Sequence, residues 1–212
     1  NTEGQPPLVG QPSSEGESYF GPRPLFDKSQ CFEFATGKLA NVLGPDFAQS
    51  DNYKIRVRLP DAPLMLVDRI MSMTGVAHSL QPGKIVTEHD VLVDGWYLDN
   101  GCLPVCISVE AGQADLILSG YLGMDRESKG KTVYRLLDAE ITFHRHLPRP
   151  GEVIHYDIRI IEFFNHSGTW FFRFEYDGTI NDTLLITMRN GCAGFFSEQA
   201  LAAGEGLVTS KI

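Results

Sequence analysis

The second half of this chain most constrains what it can fold into. One helical pattern is followed by a series of long strand candidates. Residues 106–122 place Ile107, Ala111, Ala114, Leu118 and Tyr121 near helical spacing, which predicts one mostly buried helix. After it, residues 132–145, 152–164, 169–176 and 184–196 are rich in Val, Ile, Phe, Tyr and Thr and read as strands. Between them stand turn residues: PRPG at 148–151, NHSG at 165–168, and Asp177 with Gly178. Upstream, 63–73 and 83–91 are further strand candidates.

The expected order is therefore two strands, one buried helix, and four consecutive antiparallel strands. That is an α+β arrangement, a hot-dog fold with a long curved antiparallel sheet wrapped around one central helix. The last strands are long and apolar enough to cover the helix with one face and a partner with another.

The chain before this unit reads differently. Residues 1–18 are dominated by Gly, Pro, Ser and Glu, a composition that cannot bury enough apolar area to fold. They read as a flexible linker within a longer polypeptide. Residues 19–59 read as a helical lead-in packed on the main domain. In it Asp27 can cap a helix carrying Phe32, Phe34, Leu39 and Val42, which Gly37 weakens and Gly44–Pro45 ends; 53–59 is extended. The hot-dog unit is expected over 60–205, with a tail at 206–212.

The net charge of −9 argues against a nucleic-acid partner, because phosphate binding needs clustered Lys and Arg. No apolar run approaches the roughly 18 residues of a membrane span, and no charged-then-apolar leader is read. Cys31, Cys102, Cys106 and Cys192 match no CxxC spacing and read as free thiols, so the expected location is cytoplasmic.

Several stretches resemble the β-hydroxydecanoyl-carrier-protein dehydratase family. They are LMLVDRI at 64–70, EHDV at 88–91, Trp96–Tyr97, LPVCISVEA at 103–111, SGYLG at 119–123, and AEITF at 139–143 with Leu147–Pro148. Others are similar to dehydratase-region domains of polyunsaturated fatty acid synthases. These are FATGKLANVLGP at 34–45, RVRLP at 56–60, VEAGQADL at 109–116, VYRLLD at 133–138, and MRNGCAGFF at 188–196. The resemblance implies work on 3-hydroxyacyl thioesters held on an acyl carrier protein, without a cofactor.

Such a dehydration needs a base for the α-proton and an acid for the departing β-hydroxyl. It also needs N–H donors on the thioester carbonyl. In the family a loop His is the base, and an Asp or Glu on the facing hot-dog's helix is the acid. By resemblance Glu110 holds the acid position, and Gly101, Leu103, Pro104, Val105 and Cys106 form the substrate-binding loop. The His loop is deleted: 96–104 reads WYLDNGCLP, with no His between His89 and His144, and Val105 stands where the family has a turn glycine. The resemblance then implies a hot-dog without its own base, completing a double hot-dog with an adjacent dehydratase domain and forming a homodimer when isolated.

Other readings remain beside this one. Near a helix start, a carboxylate is stabilised by the helix dipole whatever its role. Gln113, three residues on, could orient Glu110. Asp115 reads as a capping or interface residue, His89 as structural, and His78 as a solvated turn residue. A hairpin at 148–151 would set His144 opposite His155, with His146 on the same strand face. That trio could hold zinc or simply face solvent. Arg145, Arg149 and Arg159 are candidates for docking an acidic carrier protein. A substitute base such as His89, a non-catalytic acyl-binding scaffold, and a thioesterase are the competing functions.

Overall fold

The computed structural model describes residues 22–204. The expected linker at 1–18 and tail at 206–212 lie outside the described residues. Helix α1 (Lys28–Thr36) begins where Asp27 accepts a hydrogen bond from the Gln30 N–H at 3.0 Å. Gln30 Oε1 in turn accepts from the Asp27 N–H at 3.1 Å, a reciprocal cap. Asp27→Ala is expected to cost about 1 kcal/mol, read as a lower urea midpoint. Gly37 ends α1 and α2 (Leu39–Leu43) follows, so the expected single helix is two short ones. The residues at 53–59, expected to be extended, form no strand and bend at Lys54 and Ile55. Leu25 and Phe26 bond Ile70 on the outer edge of the first strand, covering that edge.

The sheet holds β1 (Arg69–Thr74), β2 (Gly83–Asp90), β3 (Thr132–Phe143), β4 (Val153–His166), β5 (Thr169–Ile180) and β6 (Thr183–Ser197). All pairings are antiparallel and the spatial order is β1-β2-β4-β5-β6-β3. This is the expected hot-dog fold. β4 illustrates why these sequences form strands. Ile154, Tyr156, Ile158 and Ile160 are buried, while the residues between them carry charge or lie nearer solvent. On the outer face Arg159 reaches Asp157 at 2.8 Å, Glu175 at 3.0 Å and Asp177 at 2.7 Å. Burial pushes the Asp177 carboxyl up, but Arg189 and Arg159 outweigh it and hold the group below the usual carboxylate range.

Three expectations are corrected here. The last four strands are not consecutive in space. β3 lies on the far edge against β6, and β4 pairs with β2. Residues 148–151 are thus a connection across the sheet rather than a hairpin. Asp177 and Gly178 sit inside β5. A Cβ on Gly178 would lie 2.6 Å from Ile186 Cγ2, so the glycine serves a close approach within the sheet. The true turn is Asn181–Asp182, both left-handed at φ 48° and 59°. The central helix is also broken, into α3 (Val105–Glu110) and α4 (Asp115–Tyr121), with α5 (Met124–Ser128) after it. The break falls at Gly112, where a Cβ would meet the Tyr176 ring at 2.8 Å. A short α6 (Glu198–Ala202) closes the described chain.

The core is continuous from the lead-in to the sheet. Phe34, Leu39, Leu103, Leu118, Tyr156 and Phe172 are fully buried in one cluster.

Candidate functional site

Between Leu98 and Leu103 the chain reverses in a minimal turn. Asp99 and Cys102 exchange backbone hydrogen bonds at 3.0 and 2.9 Å across Asn100 and Gly101, whose φ angles are 48° and 72°. Asn-Gly suits this paired left-handed geometry. The turn joins Leu98 to Leu103 with two central residues. Leu103 is buried and its N–H donates to the Pro148 carbonyl at 2.8 Å, so both are withdrawn from any ligand. Pro104 caps α3 and offers no N–H. Val105 and Cys106 are exposed at the helix start, as is Gly101 in the turn.

Glu110 ends α3, partly buried. Burial pushes its carboxyl above the usual range. Gln113 Nε2 donates to Glu110 Oε2 at 3.3 Å. The Tyr156 hydroxyl donates to the Ser108 carbonyl at 2.5 Å and ties α3 to the sheet. Tyr156 and Tyr176 meet edge to face beneath Gly112.

Asp115 differs from its expected capping or interface role. It is wholly buried at the start of α4. Its Oδ2 accepts from the Tyr134 hydroxyl at 3.2 Å, while Oδ1 has no partner among the described residues. Burial pushes its carboxyl up to about 7; the Tyr134 bond works against this and the charge of Glu110 adds to it. The Tyr176 hydroxyl is buried nearby without a partner among the described residues. The break in the helix thus gathers Glu110, Gln113, Asp115, Tyr134 and Tyr176. A lone Asp inside the apolar run QADLIL was the available signal for Asp115.

Asp115 has a pH signature. Its folded pKa lies above the ordinary aspartate value, so the unfolded chain ionises first. Stability therefore falls as pH rises from about 4 to about 7 and stays lower above that. Asp115→Asn, which keeps an acceptor for Tyr134, is expected to flatten this slope. Urea melts at pH 5 and pH 8 read the difference.

The histidines fall elsewhere. His89 is buried on β2 with Nδ1 3.2 Å from Asp68 Oδ2. Burial alone would raise Asp68, but His89, the Asp90 N–H and Lys28 together hold its carboxyl below the usual range. His89 Nε2 has no partner among the described residues. His78 is not a solvated turn residue: its ring packs 4.3 Å from Phe47 and both ring nitrogens are buried. Burial lowers its pKa. The imidazole trio does not form. His144 reaches Thr187 at 3.0 Å on β6, whereas His155 faces Glu88 on β2. Among the described residues no group of His, Cys, Asp or Glu could hold a metal, Cys102 and Cys106 included. Arg145 pairs with Glu152 and Arg159 is held by three carboxylates. Of the expected docking trio that leaves Arg149 without an ion pair among the described residues. No described helix is long and apolar enough to cross a membrane.

The chain matches the FabA-like domain family over residues 59–189. It is 41% identical over 194 residues, 90% of its length, to a polyunsaturated fatty acid synthase polypeptide of Thraustochytrium sp.. It spans only 13% of that polypeptide. Among solved structures it is similar to the dehydratase heterocomplex ApeI:P from Xenorhabdus doucetiae, at 21% identity and a TM-score of 0.48, over 69% of this chain and 93% of that one. A probable thioesterase from Bartonella henselae is similar at 17% identity and a TM-score of 0.42, over 54% of this chain and 93% of that one. The matched span runs from the end of the lead-in through the turn, the broken helix and five of the six strands into β6, and the chain belongs to the FabA-like domain family.

Proposed function

We propose that this chain is a dehydratase-type hot-dog unit that lacks its own base. It acts on 3-hydroxyacyl thioesters carried on an acyl carrier protein, jointly with a neighbouring dehydratase hot-dog. The observation that carries this is Glu110, raised by burial and held by Gln113, beside a turn that carries no histidine. In the composite site the neighbour's imidazole takes the α-proton. Glu110 protonates the β-hydroxyl, which leaves as water. β3 supports the pairing, because it is a long edge strand with Leu136 and Leu137 exposed. Such an edge is ordinarily paired or covered.

The test is hydration of a 2-enoyl thioester, the reverse reaction, by this chain alone and joined to its neighbouring hot-dog domain. Activity only in the joined protein is the expected result. Activity of the isolated chain that His89→Ala abolishes would replace this reading with a base at the Asp68–His89 pair. Inactivity of both, with tight acyl binding, would leave a non-catalytic acyl-binding scaffold.

A further inference from the structure

Several surface cations stand in ion pairs: Lys28, Arg69, Lys84, Arg145, Arg159, Arg173 and Arg189. Arg58, Arg126, Lys129 and Lys131 form no ion pair among the described residues, while Arg58 Nη1 donates to the Ala35 and Thr36 carbonyls at 3.0 and 3.3 Å. The turn at 129–131 lies on the lead-in, since a Cβ on Gly130 would sit 2.8 Å from Tyr53 Cβ and 3.1 Å from the Lys54 nitrogen. Arg126 donates to the Asp46 carbonyl at 3.1 Å, and Lys54 has only Glu198 at 3.9 Å.

Next to this turn a pocket of about 210 Å³ opens, walled by lead-in residues 55–58 on one side and the start of β3 on the other. Leu116, Val133 and Phe195 give it apolar walls, and Arg56, Arg58 and Thr132 bring donors. The Arg56 side chain is 2% exposed, and its Nε and the Thr132 hydroxyl are buried without partners among the described residues. The acids close by face inward. Asp51 holds Arg56 and the N–H groups of Leu39 and Ala40, and Asp125 accepts from Val57. Asp46 and Glu127 lie exposed beside Arg126.

The partnerless Arg56 Nε and Thr132 hydroxyl, the Arg58 side chain and the apolar walls suit one kind of ligand. We propose that this pocket binds an anionic head joined to an apolar chain, either a fatty carboxylate or an acyl group on a phosphate-bearing arm. The head meets Arg56, Arg58 and Thr132, and the chain runs along Leu116, Val133 and Phe195. Tyr134 is shared between the two places, since it lines the pocket and its hydroxyl donates to Asp115. The site is distinct from Glu110 and stands whether or not the domain takes part in dehydration.

Calorimetric titration of the intact chain with decanoate, decanoyl-coenzyme A and decyltrimethylammonium tests it. Saturable binding of an anionic probe is expected, with the cationic probe weaker by about tenfold or more. Decanoate alone binding assigns a free carboxylate; decanoyl-coenzyme A alone assigns the phosphate arm; both binding assigns the shared chemistry. Arg58→Glu at the rim and Val133→Trp, which fills the pocket, should each weaken binding by about tenfold, with thermal melts confirming the fold. No saturation by either anion below about 1 mM, equal binding of the cationic probe, or binding unchanged in both variants overturns the proposal.

Discussion

Glu110→Gln, in this chain joined to its neighbouring hot-dog domain, is expected to slow hydration and dehydration by about 10²- to 10³-fold. The amide matches the carboxyl in size and can still meet Gln113, so the helix end is preserved. It cannot deliver a proton to a departing hydroxyl. The effect should fall on kcat and on kcat/KM together, because the proton is needed in the transition state and not for binding. There is a pH signature as well. Dehydration requires Glu110 protonated, so the rate falls as pH rises through its raised pKa. In Glu110→Gln that limb should vanish from the residual activity. A joined protein that keeps full activity in Glu110→Gln would remove the composite site and leave the domain as scaffold.

The second large effect concerns stability. Phe34→Ala is expected to cost about 3–5 kcal/mol, a large share of the roughly 5–15 kcal/mol that holds a domain together. Phe34 is 0% exposed in the lead-in. Its ring tip lies 3.7 Å from where a Cβ on Gly120 of α4 would stand, so it touches the central helix directly. The cavity left behind would open between lead-in and hot-dog, where neither backbone can collapse easily. Urea unfolding should show one cooperative transition with a lower midpoint. Two transitions, with only the first displaced, would show instead that the lead-in folds apart from the sheet.

How far the sequence could be read is visible at particular residues. Asp27 marked the start of α1 because capping is a local event, and the structure adds the return bond to Gln30. Gln113 meets Glu110 across the break between α3 and α4 rather than along one helix, and no local pattern showed that break. The Asn100–Gly101 pair within 96–104 forms a tight left-handed turn, a local event not singled out from the sequence. Asp115 was misread. Its position in a helix was local information, but its burial depends on Tyr134, which arrives on the far-edge strand. The imidazole trio failed likewise, because a hairpin was assumed where the chain crosses the sheet.

Glu110 ends a short helix rather than standing in the first turn of a long one, whereas by itself the sequence determined the strand-rich second half, the Asp27 cap and the turn at 165–168. These follow from contacts between residues a few positions apart. The tertiary structure alone decided which strands are neighbours, where the helix breaks, and which polar groups lose water. Those depend on residues far apart in the chain, such as Gly112 under Tyr176, Asp115 under Tyr134 and Arg58 beside the start of β3, and no local pattern encodes their meeting.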